Sequence, residues 1–96
     1  MSVKPWFLYL VRCRNGTLYT GISTDVQRRF EEHQLGGAKG ARYLRGKGPL
    51  TLVYQVQVKD RSEASRLEVW LKKQPRKLKE ALVLKQTTIQ SLIGES

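Results

Sequence analysis

Two tyrosines, an arginine, a histidine and a glutamate are the residues of this 96-residue chain whose types and order could support chemistry. They are Tyr9, Tyr19, Arg29, His33 and Glu68. Arginine binds two phosphate oxygens through its planar fork and stays charged at any working pH. Histidine titrates near neutral pH, and a phenol can orient water or act as a base when a cation lowers its pKa. The set therefore indicates cleavage of a phosphodiester bond.

Glu68 is the most unusual of these residues because it falls among the apolar positions Ala64, Leu67 and Leu71 of a predicted helix. A carboxylate on an inward face is costly unless a cation or hydrogen-bond donors meet it. One hypothesis makes Glu68 a ligand for a hard divalent cation such as Mg²⁺, in a site completed by water and substrate phosphate. The other hypothesis is a buried salt bridge to Arg29.

The two tyrosines lie on neighbouring predicted strands. The apolar runs Trp6–Cys13 and Thr17–Ser23 flank Asn15 and Gly16, a pair typical of tight turns. This pattern predicts a β-hairpin. Because side chains alternate between the faces of a sheet, the length of the loop decides which residues share a face.

A three-residue loop places both tyrosines on the same face. With Gly16 in a left-handed conformation, such a loop pairs Cys13 with Thr17 and brings Tyr9 and Tyr19 to one side. A two-residue loop would separate the tyrosines and mix leucines with them. The three-residue loop instead collects Leu8, Leu10, Leu18 and Ile22 on the opposite face as a core. We therefore predict the three-residue loop.

A helix should follow the hairpin and carry the arginine and the histidine. Either Thr24 or Asp25 can cap its N-terminus, and it should run to about Leu35. Arg29 and His33 are four residues apart and fall on its apolar side. Two polar groups are thus expected to point towards the core.

The second half of the chain predicts one strand and three helices. Alternating apolar residues indicate a strand over Leu50–Val58, with Leu50, Leu52, Tyr54, Val56 and Val58 on one side. Asp60, with Glu63 completing the cap, opens a helix that ends near Lys73. Further helices are predicted over Arg76–Leu84 and Thr88–Ile93.

Composition indicates a nucleic-acid partner. The chain has 18 basic and 8 acidic residues, a net charge of +10 that favours polyanions through counterion release. Its length suits a single domain over residues 1–96. A lone cysteine, Cys13, excludes an internal disulfide, and we expect a cytoplasmic protein, intact from its start, with no membrane segment.

A second group of residues could hold a phosphate backbone. It comprises cations of the glycine-rich stretch Gly36–Pro49 and of the later helices: Lys39, Arg42, Arg45, Lys47, Lys72, Lys73, Arg76 and Lys77. The alternative is an ordinary solvated surface for each run. No motif for sequence-specific readout is present in the chain.

These residues resemble the GIY-YIG nuclease superfamily, and within it the small stand-alone bacterial YhbQ-like branch. Phe7-Leu8-Tyr9 stands in the place of the first triplet and Tyr19-Thr20-Gly21 in that of the second, with Arg29, His33 and Glu68 at the other motif positions. The sequence departs from the pattern where Phe7 replaces a glycine and Thr20 an isoleucine. The late asparagine of many active relatives is also missing, since Asn15 in the turn is the only asparagine.

The resemblance implies a small mixed α/β (α+β) domain with a three-stranded, mostly antiparallel sheet flanked by helices. It implies metal-dependent hydrolysis of DNA at one site, with Mg²⁺ or Mn²⁺ held by Glu68. Tyr9 would then be the base or the water-orienting group with Tyr19 in support, while Arg29 would bind the scissile phosphate and His33 assist.

Three functions remain open on this basis. The first is an endonuclease of low sequence specificity in DNA repair or recombination, with RNA as an alternative substrate. The second is a nucleic-acid-binding module that keeps the fold and cleaves little or nothing, as the missing asparagine would suggest. The third is a subunit that depends on a partner protein for substrate recognition, since the chain has no room for a separate recognition domain.

Overall fold

The computed structural model describes residues 4–35, 44 and 46–92. These residues form the strands β1 (Trp6–Arg12), β2 (Leu18–Ser23) and β3 (Thr51–Val58), and the helices α1 (Val26–Leu35), α2 (Arg61–Lys72), α3 (Arg76–Val83) and α4 (Ile89–Leu92). The strands lie in the order β2-β1-β3, and both pairings are antiparallel. The expected α+β fold with a three-stranded sheet flanked by helices is confirmed.

The hairpin between β1 and β2 has the predicted three-residue loop. The Cys13 N–H donates to the carbonyl of Thr17, and the Gly16 N–H donates to the carbonyl of Cys13, both at 2.8 Å. Gly16 has a φ of +89°, which favours glycine because a side chain would be strained there. Leu8 therefore lies opposite Ile22 and Tyr9 opposite Gly21.

One side of the sheet carries a core whose buried members are aliphatic, and we call it the leucine face. Leu8 and Leu10 of β1 are fully buried there against α2, α3 and α4. The helices contribute Ala64, Leu67, Leu71, Leu82 and Ile89. The apolar stripe predicted for α2 is thus in contact with the leucines that the hairpin turn brings together.

The opposite side is buried as well, and we call it the tyrosine face. Tyr9, Val11 and Cys13 are buried there with Val26 of α1 and with Leu50. Two core layers, one on each side of the sheet, replace the single core face predicted from the leucines. The second layer forms because α1 covers the side that carries the tyrosines.

A β-bulge in β3 corrects the prediction that its alternate residues share one side. Leu10 pairs with Tyr54, but the next residue of β1, Val11, pairs with Leu52, so Val53 is an extra residue. One extra residue reverses the side on which the following side chains lie. Consequently Leu50 and Leu52 belong to the tyrosine face, whereas Tyr54, Val56 and Val58 belong to the leucine face.

Carboxylates cap the two longer helices. Of the two candidate caps for α1, Asp25 accepts a hydrogen bond from the Arg28 N–H at 3.1 Å. Asp60 caps α2 by accepting from the Glu63 N–H at 2.9 Å, and Glu63 in turn accepts from the Lys59 N–H at 2.7 Å. These contacts satisfy donors that a helix start leaves unpaired.

The hairpin turn is fastened to α3 through Glu80. Its carboxylate accepts two hydrogen bonds from Arg12, at 2.6 and 2.8 Å, and one from Arg76 at 3.2 Å. Arg76 also donates to the carbonyl of Gly16 at 3.0 Å. The Arg12 hydrogen bond is the main reason that the pKa of Glu80 is lowered to about 2. The cluster holds the turn that sets the register of the tyrosines.

Candidate active site

A hydrogen-bonded tyrosine and histidine form the centre of the tyrosine face. The Tyr9 hydroxyl on β1 lies 3.0 Å from Nε2 of His33 on α1, and both side chains are buried. The Tyr19 ring on β2 meets the His33 ring edge-on, with ring centroids 5.5 Å apart and an interplanar angle of 71°. Three elements thus bring together residues that are far apart in the sequence.

Gly21 leaves room for the Tyr9 ring, which packs directly over the backbone of the edge strand at this residue. A Cβ atom at position 21 would lie 2.5 Å from both Cζ and the hydroxyl oxygen of Tyr9. Any side chain there would displace the phenol. Gly21 is therefore required by the close approach of an aromatic ring, a role that its place in the second triplet did not reveal.

Arg29 lies beside the phenols and stays charged. Its Nη1 atom donates to Glu32 at 2.9 Å, and its positive charge acts to lower the pKa of the Tyr9 phenol. Burial acts to lower the pKa of Arg29, but the bond to Glu32 and the nearby phenols raise it overall. A third of the side chain, 33%, remains exposed, so the guanidinium can reach a bound phosphate.

The pKa of Tyr9 is raised above its ordinary range. Burial is the largest cause, because the side chain is only 1% exposed, and the neighbouring Tyr19 acts in the same direction. The charge of Arg29 opposes the shift without cancelling it. Tyr9 therefore carries its proton at neutral pH.

His33 has the opposite property, since its pKa is lowered. Burial disfavours the imidazolium, and the positive charge of Arg29 disfavours it further. A neutral imidazole with its proton on Nδ1 presents Nε2 as an acceptor for the Tyr9 hydroxyl. The hydrogen bond thus joins a phenol that keeps its proton to an imidazole that is uncharged near neutral pH, and it fixes the orientation of both side chains.

Glu68 lies on α2 with most of its side chain buried. Its side chain is 22% exposed, and its Oε2 atom lies 3.3 Å from Nζ of Lys72, one turn along α2. A lysine, in place of the Arg29 of the salt-bridge hypothesis, is thus the cation beside it. The charge of Glu68 still reaches Tyr9, whose pKa it raises.

The donor set fits a weakly held divalent cation. Within residues 4–35, 44 and 46–92, no group of three or more His, Cys, Asp or Glu side chains could form a protein-only metal site. Mg²⁺ is commonly bound by one or two carboxylates with waters and substrate phosphates. A partly exposed Glu68 close to the phenol site fits that arrangement.

The predicted backbone-gripping cations differ in their surroundings. Lys39, Arg42 and Arg45 lie outside the described residues. The backbone of Lys47 joins the loop to the hairpin, because its carbonyl accepts from the Arg14 N–H at 2.9 Å. Lys73 and Lys77 are exposed, whereas Lys72 pairs with Glu68 and Arg76 with Glu80.

Sequence patterns predicted neither Glu32 as a residue of the site nor the burial of Thr20, which pairs with Leu10 and so lies on the leucine face. Glu32 forms an ion pair with Arg29, and their separation of three residues on one helix could have predicted this contact. Thr20 is buried at the middle of β2, and no hydrogen-bond partner for its hydroxyl exists among the described residues. Its position in the second triplet had been noted only as a departure from the family pattern.

Comparison with known proteins agrees with this geometry. A profile described as the GIY-YIG catalytic domain matches residues 5–81. The chain belongs to the GIY-YIG family. This is a nuclease family whose members generally depend on a metal ion, and a nuclease domain suggests a nucleic-acid substrate.

Named relatives of the GIY-YIG chain share most of its length. The UPF0213 protein YhbQ of Salmonella arizonae is 52% identical over 92 residues, covering 96% of this chain and 90% of the relative. Its counterpart in Escherichia coli K12 is 54% identical over 81 residues, covering 84% and 79%. These matches confirm the YhbQ-like branch.

Two solved structures are similar to the GIY-YIG fold described here. The UPF0213 protein BH0048 of Bacillus halodurans aligns with a TM-score of 0.54 at 36% identity, covering 95% of each chain. The protein EF2693 of E. faecalis aligns with a TM-score of 0.59 at 33% identity, covering 88% of each. Among the described helices, none is both long enough and apolar enough to cross a bilayer.

Proposed function

We propose that this chain is a metal-dependent endonuclease that hydrolyses DNA with little sequence preference, in repair or recombination. The observation that carries the proposal is the buried Tyr9–His33 hydrogen bond of 3.0 Å beside the charged Arg29. The proposed proton acceptor, His33, and the proposed phosphate ligand, Arg29, thus lie beside the same phenol. Family membership supports phosphodiester chemistry at this site.

The two protonation states favour a relay over a free phenolate. Because burial raises the pKa of Tyr9, its hydroxyl keeps a proton until it can transfer it. In the relay, a water gives one proton to the Tyr9 oxygen while Tyr9 passes its own proton to Nε2 of His33. The resulting hydroxide attacks the phosphorus, and His33 becomes the imidazolium. The departing alkoxide takes its proton from solvent.

Arg29 and Glu68 act on the phosphate in this scheme. The Arg29 guanidinium binds two non-bridging oxygens and stabilises the charge that grows on them. Glu32 keeps the guanidinium in place by its hydrogen bond. A divalent cation held by Glu68 supplies polarisation of the scissile phosphate and stabilisation of the leaving oxygen when it is bound.

Nicking of a supercoiled plasmid in Mg²⁺ or Mn²⁺ tests the proposal. We expect Arg29→Ala to reduce the rate by about 100-fold or more, because it removes the charge that faces the phosphate. The matched control is Arg28→Ala, the exposed neighbour on the same helix. Equal rates for these two variants would contradict the role of Arg29.

The metal ligand needs its own variant. Glu68→Gln keeps the size of the side chain and removes its charge, so we expect the dependence of nicking on Mn²⁺ concentration to shift to higher values. Glu31→Gln, an exposed residue of α1, is the control. Nicking that is equal in both variants and persists in EDTA would refute metal-dependent cleavage through Glu68.

A binding module without cleavage is the second candidate. The Glu68–Lys72 contact of 3.3 Å favours it, because the lysine neutralises the carboxylate that a metal would need. In that case the pure protein binds DNA in a salt-dependent manner and leaves the plasmid intact at any Mg²⁺ or Mn²⁺ concentration.

A further inference from the structure

A cleft at the outer edge of the sheet carries chemistry that the proposed reaction leaves unused. It has a volume of about 300 Å³ and is lined by Leu18, Tyr19, Thr20, Lys72 and Lys79. We call it the lysine cleft. β2 forms its floor and lies at the edge of the sheet, next to β1 only. The lysines come from α2 and α3, so tertiary structure brings them together.

The cations of the lysine cleft are suited to an anion. Lys72 lies beside Glu68, but half of its side chain, 52%, is exposed. Within the described part of the chain, Lys79 makes no ion pair. Two ammonium groups around a small cleft on a chain of net charge +10 attract phosphate and repel other cations.

Neutral donors lie in the wall of the same cleft. Thr20 is 3% exposed, and its hydroxyl oxygen has no hydrogen-bond partner among the described residues. A buried hydroxyl without a partner is costly, so a ligand that accepts from it would recover that cost. Buried polar groups without a hydrogen-bond partner are rare in native proteins, so the Thr20 hydroxyl is stronger evidence for a ligand in this cleft than the lysines are.

The backbone of the edge strand offers further donors. Cys13 and Thr17 are a hydrogen-bonded pair of the hairpin, because the Cys13 N–H donates to the Thr17 carbonyl. Hydrogen-bonded pairs recur at every second residue of an antiparallel ladder, so the N–H of Tyr19 also points towards β1. The N–H groups of Leu18 and Thr20 then point away from β1, towards the side on which the cleft lies.

The lysine cleft adjoins the candidate active site through two of its own residues. Tyr19 lines the cleft and also touches His33 with its ring. Lys72 lines the cleft and also contacts Glu68. A group bound in the cleft would therefore contact Tyr19 and Lys72, each of which contacts a residue of the candidate active site.

We infer that the lysine cleft binds the backbone phosphate adjacent to the scissile phosphate, with Lys72, Lys79 and Thr20 as its ligands. The inference rests on the proposed function, because it takes the substrate to be a nucleic-acid strand. It assigns to this edge of β2 the task of setting the strand in register with the catalytic residues. Lys79 is a binding residue here, although it stands apart from the phosphodiester chemistry.

The test measures binding without cleavage. A fluorescein-labelled single-stranded DNA oligonucleotide is titrated in EDTA at a series of salt concentrations, with wild type, Lys79→Gln and Lys59→Gln. Lys59 is an exposed lysine before α2, at the opposite end of that helix from Lys72, so its variant matches the loss of charge. We expect Lys79→Gln to reduce the salt slope by about 0.7, the value for one phosphate contact on a single strand. Equal slopes for the two variants would overturn the inference.

Thr20→Val separates a ligand from an unpaired buried group. Valine keeps the shape and removes only the hydroxyl. If Thr20 donates to phosphate, the variant binds the oligonucleotide more weakly, by about threefold to tenfold for one lost hydrogen bond. If the hydroxyl has no ligand, the variant binds like wild type and melts at a higher temperature, and that result would overturn the assignment of Thr20.

The plasmid assay distinguishes this inference from the proposed function. Nicking by wild type together with equal slopes for Lys79→Gln and Lys59→Gln overturns the lysine cleft alone. Absence of nicking together with a smaller slope for Lys79→Gln supports the cleft and overturns the nuclease. Loss of affinity in Arg29→Ala with none in Lys79→Gln would leave phosphate binding at the catalytic residues only and overturn the cleft.

Discussion

The two faces of the sheet are buried equally well but contain different chemistry. The leucine face packs aliphatic side chains from β1 and three helices, and Leu8 and Leu10 are fully buried in it. The tyrosine face buries Tyr9 to the same degree, yet it also encloses His33 and the phenol hydroxyl. Packing alone explains the first face. The second face must also satisfy polar atoms, and it does so by pairing them with each other.

This difference indicates where stability and function are separated in a small domain. Apolar burial stabilises at roughly 25 cal/mol for each Å² removed from water, and both faces benefit from it. Buried polar groups add little net stability and are costly when unpaired. The buried Tyr9–His33 pair beside Arg29 is therefore not explained by apolar packing alone.

The largest effect is expected from a truncation in the leucine face. Leu10→Ala should reduce the free energy of unfolding by about 3–5 kcal/mol, because it removes buried methyl groups and leaves a cavity. Urea denaturation followed by circular dichroism measures it. Leu35→Ala is the control, since Leu35 is 85% exposed. A similar cost for both variants would break the distinction between core and surface on which the leucine face depends.

A smaller but more specific effect is expected at Gly21 on the tyrosine face. Gly21→Ala places a Cβ atom 2.5 Å from the Tyr9 ring, so the ring must move. We expect a loss of about 1–3 kcal/mol in stability and a loss of nicking by the folded protein. In Gly48→Ala the nearest atom is 4.0 Å away, and that variant should behave as wild type. Normal nicking by Gly21→Ala would contradict the claim that the Tyr9 ring must lie against Gly21 for cleavage.

The same substitution on each face provides the sharpest comparison. Tyr9→Phe removes a hydroxyl that bonds to His33 and should cost about 1–2 kcal/mol in stability, with a reduction of nicking by about 100-fold or more. Tyr54→Phe, which packs against the leucine face, should leave nicking unchanged. Thermal melting and the plasmid assay report the two quantities. Equal nicking by both variants would remove the functional difference between the faces.

The smallest effect concerns Glu80, which links α3 of the leucine face to the turn that aligns the tyrosines. Its pKa is lowered to about 2 in the folded protein, so it stabilises the fold above its ordinary pKa of 4.5. That contribution is lost as the pH falls from 4.5 towards 2. Glu80→Gln should therefore reduce the free energy of unfolding by about 1 kcal/mol at neutral pH. Below about pH 2 the substitution should change it little, because Glu80 is then largely protonated in the wild type. A difference from wild type that stays constant with pH would contradict the ion pair.

Local patterns in the sequence were sufficient for the hairpin and the helices. The Asn15-Gly16 turn predicted the register, because only one loop length separates leucines from tyrosines, and the structure has that register. Asp60 and Pro75 mark the N-termini of α2 and α3, because capping and proline preferences at a helix start depend on only a few residues.

Two features of the structure were not predicted from the sequence. The bulge at Val53 is invisible in the alternation of β3, which reads equally well as a regular strand. A divalent cation and Arg29 were the two alternatives for the partner of Glu68, and the structure places Lys72 beside it, one turn along α2. The bulge does not follow from spacing, whereas the Glu68–Lys72 pair has the i, i+4 spacing of helical ion pairs.

The sequence by itself determined the residues that can act on phosphate, their order, and the turn that puts Tyr9 and Tyr19 on one face. Those properties depend on residue chemistry and on the period of strands and helices, both of which are local. Only the tertiary structure decided that Tyr9 keeps its proton, that its hydroxyl is hydrogen-bonded to His33, and that Lys72 and Lys79 share one cleft. Burial and proximity control these properties, and both arise only when helices distant in sequence pack on the sheet.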